Sequence, residues 1–237
     1  MKIAIIGYGK MGKTIENIAV QNGDEIVLRI TDENKHELSL ENLQKADVAV
    51  EFTRPEVAFD NIKACLEAGT PVVSGTTGWL DKAADIEAMT TQKKGAFFYA
   101  SNFSIGVNIF FAFNKKLAAV MNNHTTYTAS IHEIHHTQKL DAPSGTAITL
   151  GEGIIENIRH LKAWTQKKAD SNELLITSAR IDKTPGTHIV TYASDIDEIE
   201  IIHTAKSREG FAQGALMAAR WLVGRQGCFG MEDMLGM

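Results

Sequence analysis

The sequence holds few cysteines, no long apolar run and no basic excess, and each shortage excludes a class of protein. Two cysteines, Cys65 and Cys228, in 237 residues are too few for a disulfide scaffold and read as free, reduced thiols. No apolar run approaches the ~18 residues that a membrane helix requires. The opening MKIAIIGYGKMG is not a signal peptide, because its apolar run is short and leads into glycines without a cleavage site. Lys and Arg number 24 against 29 Asp and Glu, for a net charge of -5 and a pI near 5.9, which argues against a nucleic-acid partner. What remains is ordinary for a globular chain: 44% hydrophobic and 22% charged, long enough for one large domain or two small ones. The expectation is a cytoplasmic protein with no membrane or nucleic-acid partner.

The first hundred residues carry a β/α pattern. KIAII is a short apolar strand that feeds into GYGKMG, Gly7 to Gly12, followed by a helical stretch to about Asn22. A second strand, EIVLRI, leads to Asp32, 20 residues after Gly12. A strand before the G-x-G-x-x-G, a helix after it and an acid at this distance form the context of a dinucleotide fingerprint. Gly7 permits the tight turn, Gly9 admits the pyrophosphate, Gly12 lets helix pack on strand, and Asp32 accepts from the adenosine ribose. Asp32 and Glu33 would repel a 2′-phosphate, so NADH is the preferred cofactor. Arg29, Lys35 and His36 lie close enough in sequence to soften that repulsion and leave NADPH possible.

Further units follow. ADVAVEF, PVVS and GAFFYA are strands, with helices opening at Pro55 and running from about Leu80 to Lys94. Alternation of this kind predicts a Rossmann-like parallel sheet with helices on both faces, and ligands bind beyond its carboxyl strand ends. Three strand ends there favour cofactor contacts: Phe52-Thr53-Arg54, Gly75-Thr76-Thr77 and Ala100-Ser101-Asn102-Phe103.

The pattern changes after residue 104. A helix over IGVNIFFAFNKKLAAVMNN is followed by a YTASIHEIHH strand, a helix from about Pro143 to Leu161, and strands ELLITSARI, THIVTYASD and EIEIIHTA. Strands in succession predict an α+β domain with an open mixed sheet. The last helix, SREGFAQGALMAARWLVGR, starts at a Ser207 cap and returns to the first domain. The expected division is 1–104, completed by 207–237, and 105–206.

The H-E-x-x-H in HEIHHTQKLDAPSGTA is a zinc-protease signature only on a helix. On the predicted strand, His132 and His136 lie roughly 13 Å apart at about 3.3 Å per residue, too far to share an ion, and no metal is expected. His132 is a sheet residue. His135, His136 and Lys139 place up to three cationic side chains beside a helix start at Ser144-Gly145-Thr146, with Pro143 at the first helical position. Unsatisfied helix-start amides and the Thr146 hydroxyl form an anion site, suited to a small dicarboxylate. A non-catalytic nucleotide sensor would need only the glycine loop, and a zinc peptidase would leave that loop without a role.

E-I-H-H-T-Q-K-L-D-A-P-S-G-T-A resembles the signature of the 4-hydroxy-tetrahydrodipicolinate reductase family, also called dihydrodipicolinate reductase. EFTRPE, GTTGW, SNFSIGVN, HTAKSREGFAQGA and MEDMLG extend the resemblance over essentially the whole chain. It implies NADH- or NADPH-dependent reduction of a cyclic dicarboxylic imine, with loss of water, in the diaminopimelate route to lysine. By position, His135 is implied as proton donor/acceptor and Lys139 as proton donor, with His136, Gly145 and Thr146 binding substrate. Gly7, Tyr8, Gly9, Lys10, Met11, Gly12, Asp32, Phe52, Thr53, Gly75, Thr76, Thr77, Ala100, Ser101, Asn102 and Phe103 are the implied cofactor contacts. A cytoplasmic homotetramer built through the second domain's sheet is implied as well. The chain departs from the family in a shortened segment between Asp32 and Ala46, and in Glu33 after the ribose acid.

Overall fold

The computed structural model describes residues 1–207 and 209–237. It divides into two compact units, Met1–Ile105 with Glu209–Met237, and Gly106–Arg208.

The first unit is built on strands β1 (Lys2–Ile6), β2 (Glu25–Ile30), β3 (Val48–Glu51), β4 (Val72–Ser74) and β5 (Ala96–Tyr99), with β11 (Gly227–Phe229) added from the chain's end. All pair in parallel, in the order β11-β5-β4-β3-β1-β2. Successive β1 residues point to opposite faces. Ile3 and Ile5 join Val48, Val50, Phe98 and Leu216 in one core, while Ala4 and Ile6 join Ala49, Ile62, Cys65 and Trp79 in the other. Both faces are covered by helices, which is why the strands read as continuous apolar runs.

Helices α1 (Lys10–Gln21) and α7 (Glu209–Leu222) pack on the first of these faces, and α3 (Pro55–Ala68) with α4 (Ala83–Lys93) on the second. Pro55 occupies the first turn of α3 and Gly69 closes it, as the spacing predicts. Between β2 and β3 stand only a 3-10 turn (Lys35–Glu37) and α2 (Leu40–Leu43), so the crossover helix is shortened as expected. The Ser207 cap expected for α7 borders Arg208, which lies outside the described residues.

The second unit is a mixed sheet of β6 (Thr128–His135), β7 (Ala163–Thr165), β8 (Glu173–Arg180), β9 (Gly186–Ala193) and β10 (Glu198–Ala205), in the order β10-β9-β6-β8-β7. β6 runs parallel to β8 and antiparallel to β9. Helices α5 (Ile105–Met121) and α6 (Gly145–Asn157) cover one face, where Phe110, Leu150 and Ile154 pack against Ala129, Ile131, Ile176, Val190 and Tyr192.

Two expectations here are corrected. Helix α6 starts at Gly145, because the Ser144 hydroxyl accepts from the Ala147 N–H (3.2 Å) and makes Ser144 the cap. Pro143 therefore lies outside the helix, behind a cis Ala142-Pro143 bond. The helix ends at Asn157, not near Leu161: Ile158 is extended, and Ile158 and Leu161 fill the core from a non-helical segment. Strand β7 had no counterpart in the sequence reading, because three residues are too few to show alternation.

Candidate active site

In the first unit the chain runs from β1 out to β2 on one side and then crosses to β3 on the other. The order therefore reverses between β1 and β3, and the crevice at such a point is where open α/β sheets bind ligands. A cleft of about 360 Å³ lies there, lined by Gly7, Tyr8 and Gly9 after β1, Thr31 and Asp32 after β2, and Phe52, Thr53 and Arg54 after β3. Its volume falls in the range of small-molecule sites.

Gly7 has φ +94, and a Cβ there would lie 2.0 Å from the Phe52 carbonyl oxygen. The close approach of these two strand ends admits no side chain. Above Gly9, by contrast, a Cβ would meet nothing within 4 Å, which leaves room for a bulky group over the turn. Gly9 caps α1 without a side-chain bond, so the first-turn amides are available to an anion. These features fit a dinucleotide.

Asp32 is exposed and pairs with Arg54 (3.0 Å) and Lys35 (3.8 Å). Arg29, one of the cations expected to soften this corner, is instead bonded to Glu16 on α1, and Arg54 supplies the second charge. Behind the cleft, the Thr53 N–H donates to the Thr76 hydroxyl (2.8 Å), and the Phe52 ring lies against Gly75. Lys10, Thr77 and Ser101 are exposed, Asn102 is half-buried and Met11 packs against the core. Ala100 and Phe103 are buried in that core, so the backbone is what they can offer a ligand.

In the second unit, odd-numbered β6 residues face the helices. Ala129 and Ile131 are apolar, but the same face then continues with Glu133 and His135. The neighbouring strands make the same change: Leu174 and Ile176 give way to Ser178 and Arg180 on β8, and Tyr192 and Val190 to His188 on β9. Register places Ser178 and His188 opposite Glu133, and Arg180 opposite His135. The apolar core thus passes into a polar cluster at one end of the sheet.

Glu133, fully buried, is its centre. The carboxylate accepts from the Ser144 N–H (3.1 Å), the Ser178 hydroxyl (2.8 Å) and Arg180 (3.4 Å). His135 Nδ1 lies 3.5 Å and His188 Nε2 3.7 Å from it. Burial alone would raise the Glu133 carboxyl, but the adjoining His188 and the hydrogen bonds from Ser144 and Ser178 outweigh it and hold the group well below the usual carboxylate range. Burial pulls His135 down to about 4, with Glu133 opposing and His188, Lys139 and Arg180 assisting. His135 is therefore neutral at neutral pH, and the expected trio of cations is corrected to that extent. Glu133, His135 and His188 bring ligand-type atoms within 4.8 Å of one another. Since Arg180 and the Ser144 amide already occupy the carboxylate and His188 Nε2 is paired with the Ser144 hydroxyl, they read as a buried polar cluster.

His132 does belong to the sheet, with Nδ1 2.7 Å from the Thr177 hydroxyl. His136 follows the strand, and its carbonyl accepts from the Lys139 N–H (3.1 Å). The Lys139 ammonium bonds both Asp141 oxygens (2.9 and 2.8 Å). Gly145 is exposed, with open space around it, and Thr146 is half-buried beside it. Glu133, Ser178, Arg180 and His188 were not singled out in the sequence. Their signal was there as polar residues at inward-facing strand positions, but only the register tells which of them meet.

Models of the dihydrodipicolinate reductase N-terminus and C-terminus match residues 1–103 and 106–235. A 4-hydroxy-tetrahydrodipicolinate reductase of Christiangramia forsetii is 50% identical over 236 residues, 99% of this chain and 98% of the relative. One from Desulfovibrio desulfuricans is 34% identical over 261 residues, 98% of each chain. Among solved structures, a dipicolinate-bound dihydrodipicolinate reductase from Paenisporosarcina sp. TG-14 shares the fold with a TM-score of 0.79 at 23% identity, over 98% of both chains. With both halves matched in order and half of its residues shared with a full-length relative, the chain belongs to the dihydrodipicolinate reductase family.

Proposed function

We propose that this chain reduces 4-hydroxy-tetrahydrodipicolinate to tetrahydrodipicolinate with NAD(P)H, releasing water, in the diaminopimelate route to lysine. Family membership supports the reaction. The geometric observation that carries it is the cluster at the end of β6, which sets an ammonium, a neutral imidazole and an open helix start beside one another. The Gly145 and Thr146 amides point off the start of α6 and suit a substrate carboxylate. The half-buried His136 and the Thr146 hydroxyl add polar contacts.

Bound at the glycine turn, NAD(P)H supplies a hydride to a conjugated carbon of the substrate. The first-turn amides of α1 and the backbone from Gly7 to Gly12 hold the pyrophosphate, and Asp32 takes the ribose hydroxyls. Phe52 and Thr53 line the cleft, and Gly75 to Thr77 and Ala100 to Phe103, at the ends of the next two strands, would offer further contacts to the dinucleotide. Lys139 delivers a proton to the resulting enamine carbon. His135 begins neutral, and a dianionic substrate beside it raises its affinity for a proton, so it holds or passes one during turnover. NADH is preferred because of the carboxylates at Asp32 and Glu33, while Arg54 and Lys35 allow NADPH to bind.

The first unit thus serves as the dinucleotide domain and the second as the substrate and assembly domain. We place the protein in the cytoplasm, and no helix among the described residues is long and apolar enough to cross a membrane. A homotetramer formed through the second unit's sheet agrees with the exposed Ile202 on β10, which lies on the face away from the helices, and light scattering should give four times 26.0 kDa.

The test is oxidation of NADH and of NADPH on substrate generated in situ. Lys139→Ala and His135→Ala should each lower kcat about 10²- to 10³-fold and leave cofactor affinity within about twofold, because neither residue is in the dinucleotide unit. Near-normal turnover in both variants overturns the assignment. A higher kcat/KM with NADPH overturns the cofactor preference alone.

A further inference from the structure

Arg180 ends β8, opposite His135 in the register, with 22% of its side chain exposed. Nε donates to the Lys139 carbonyl (3.2 Å). Nη1 donates to the Ala179 carbonyl (2.9 Å) and to Glu133 Oε1 (3.4 Å). Nη2 donates to the Asp141 carbonyl (2.6 Å) and to the same Glu133 oxygen (3.4 Å). A guanidinium has five N–H donors fixed in one plane, and these five bonds engage all of them. None is left for a substrate carboxylate, which separates Arg180 from an arginine that binds ligand.

Two of the five bonds hold the backbone of the loop between β6 and α6, one on each side of Leu140. Leu140 is 97% exposed, so no apolar anchor fixes the loop at that point. Its shape depends on hydrogen bonds: the Lys139 N–H to the His136 carbonyl, the Ser144 N–H to the Glu133 carboxylate, and the two bonds from Arg180. Glu133 is fully buried in the sheet and gives the guanidinium a fixed reference. The planar fork spans the distance from that carboxylate to two carbonyls.

We propose that Arg180 is a positioning residue that clamps the Lys139 loop to the sheet through the Lys139 and Asp141 carbonyls, and so sets where the Lys139 ammonium stands. The proposal rests on Lys139 as the proton donor. A lysine at 180 would restore charge but not the span, because its donors radiate from one atom.

A double-mutant cycle in the full-length enzyme tests it, with Arg180→Met and Lys139→Met made singly and together. Arg180→Met should lower kcat about 10²-fold while cofactor affinity, read by quenching of nicotinamide fluorescence, stays unchanged. In the Lys139→Met background the same change should cost less than about twofold, because the loop no longer carries a donor. Arg180→Lys should remain at least about tenfold slow. An equal cost of Arg180→Met in both backgrounds, or none in either, overturns the proposal. Should Lys139→Met prove as fast as the parent, the donor assignment fails instead. Hydrogen exchange over residues 137–142 then decides the clamp: faster exchange in Arg180→Met and Arg180→Lys upholds it, and unchanged exchange removes it.

Discussion

At the scale of single residues, two buried carboxylates organise the two units, and they do so differently. Glu133 has Arg180 as a counter-charge, whereas the bonds to Glu51 come from hydroxyls. Fully buried at the end of β3, Glu51 accepts from Thr53, Ser74 (2.6 Å) and Thr76 (3.0 Å). Burial pushes its carboxyl up, and the hydroxyls of Ser74, Thr53 and Thr76 pull against that. Because Thr76 gives its proton to Glu51, its lone pair is free to accept the Thr53 N–H, and the floor of the dinucleotide cleft depends on this chain of bonds. Glu51→Ala strands three hydroxyl donors. The expected cost is about 3 kcal/mol of stability, measured by denaturant unfolding, with weaker NADH binding as a second readout. A loss below about 0.5 kcal/mol would show that the hydroxyls find other partners.

At the scale of elements, the start of α6 is where strand and helix meet chemically. Ser144 has three roles: its N–H donates to Glu133, its hydroxyl accepts from Ala147, and the same hydroxyl lies 3.1 Å from His188 Nε2. Ser144→Ala keeps the first of these and removes the other two. A cap alone is worth about 1 kcal/mol, and the His188 contact is buried, so the expected loss is about 2 kcal/mol, read in thermal unfolding. KM for the substrate should rise while cofactor affinity holds, because the frayed amides are those of Gly145 and Thr146. An unchanged KM would place the substrate away from this helix start.

For the whole molecule, each unit has its own apolar core, and their buried ionisable groups respond oppositely to acid. In the second unit the unfolded chain takes up protons first, at His135 from its ordinary value of about 6.5 and at Glu133 from the usual carboxylate range. Stability from His135 is complete above that pH and falls away as pH drops toward 4, and Glu133 adds to the loss below the carboxylate range. The raised Glu51 of the first unit has the reverse sign, because the folded state holds that proton more tightly. Lowering pH from 7 to 4 should therefore destabilise the second unit before the first. Hydrogen exchange resolved by peptide reads this directly, and equal acid sensitivity in both units would refute it.

What the amino-acid order determined by itself is what repeats locally. Alternating apolar runs and helical spacings announce the parallel sheet, Gly7 to Gly12 and Asp32 announce its ligand, and the β-branched stretch before HEIHH announces a strand in place of a zinc helix. The tertiary structure decided which distant positions meet. Glu133 finds Ser178, Arg180 and His188, 45 to 55 residues away in the chain, only because β6 pairs with β8 and β9 in one register. Arg54 reaches Asp32, and Arg29 turns to Glu16, because β3 lies on the far side of β1 and α1 packs beside β2. Periodicity reports the face on which a side chain lies, but its partner on that face depends on strand order and register, which the packing of the whole core selects.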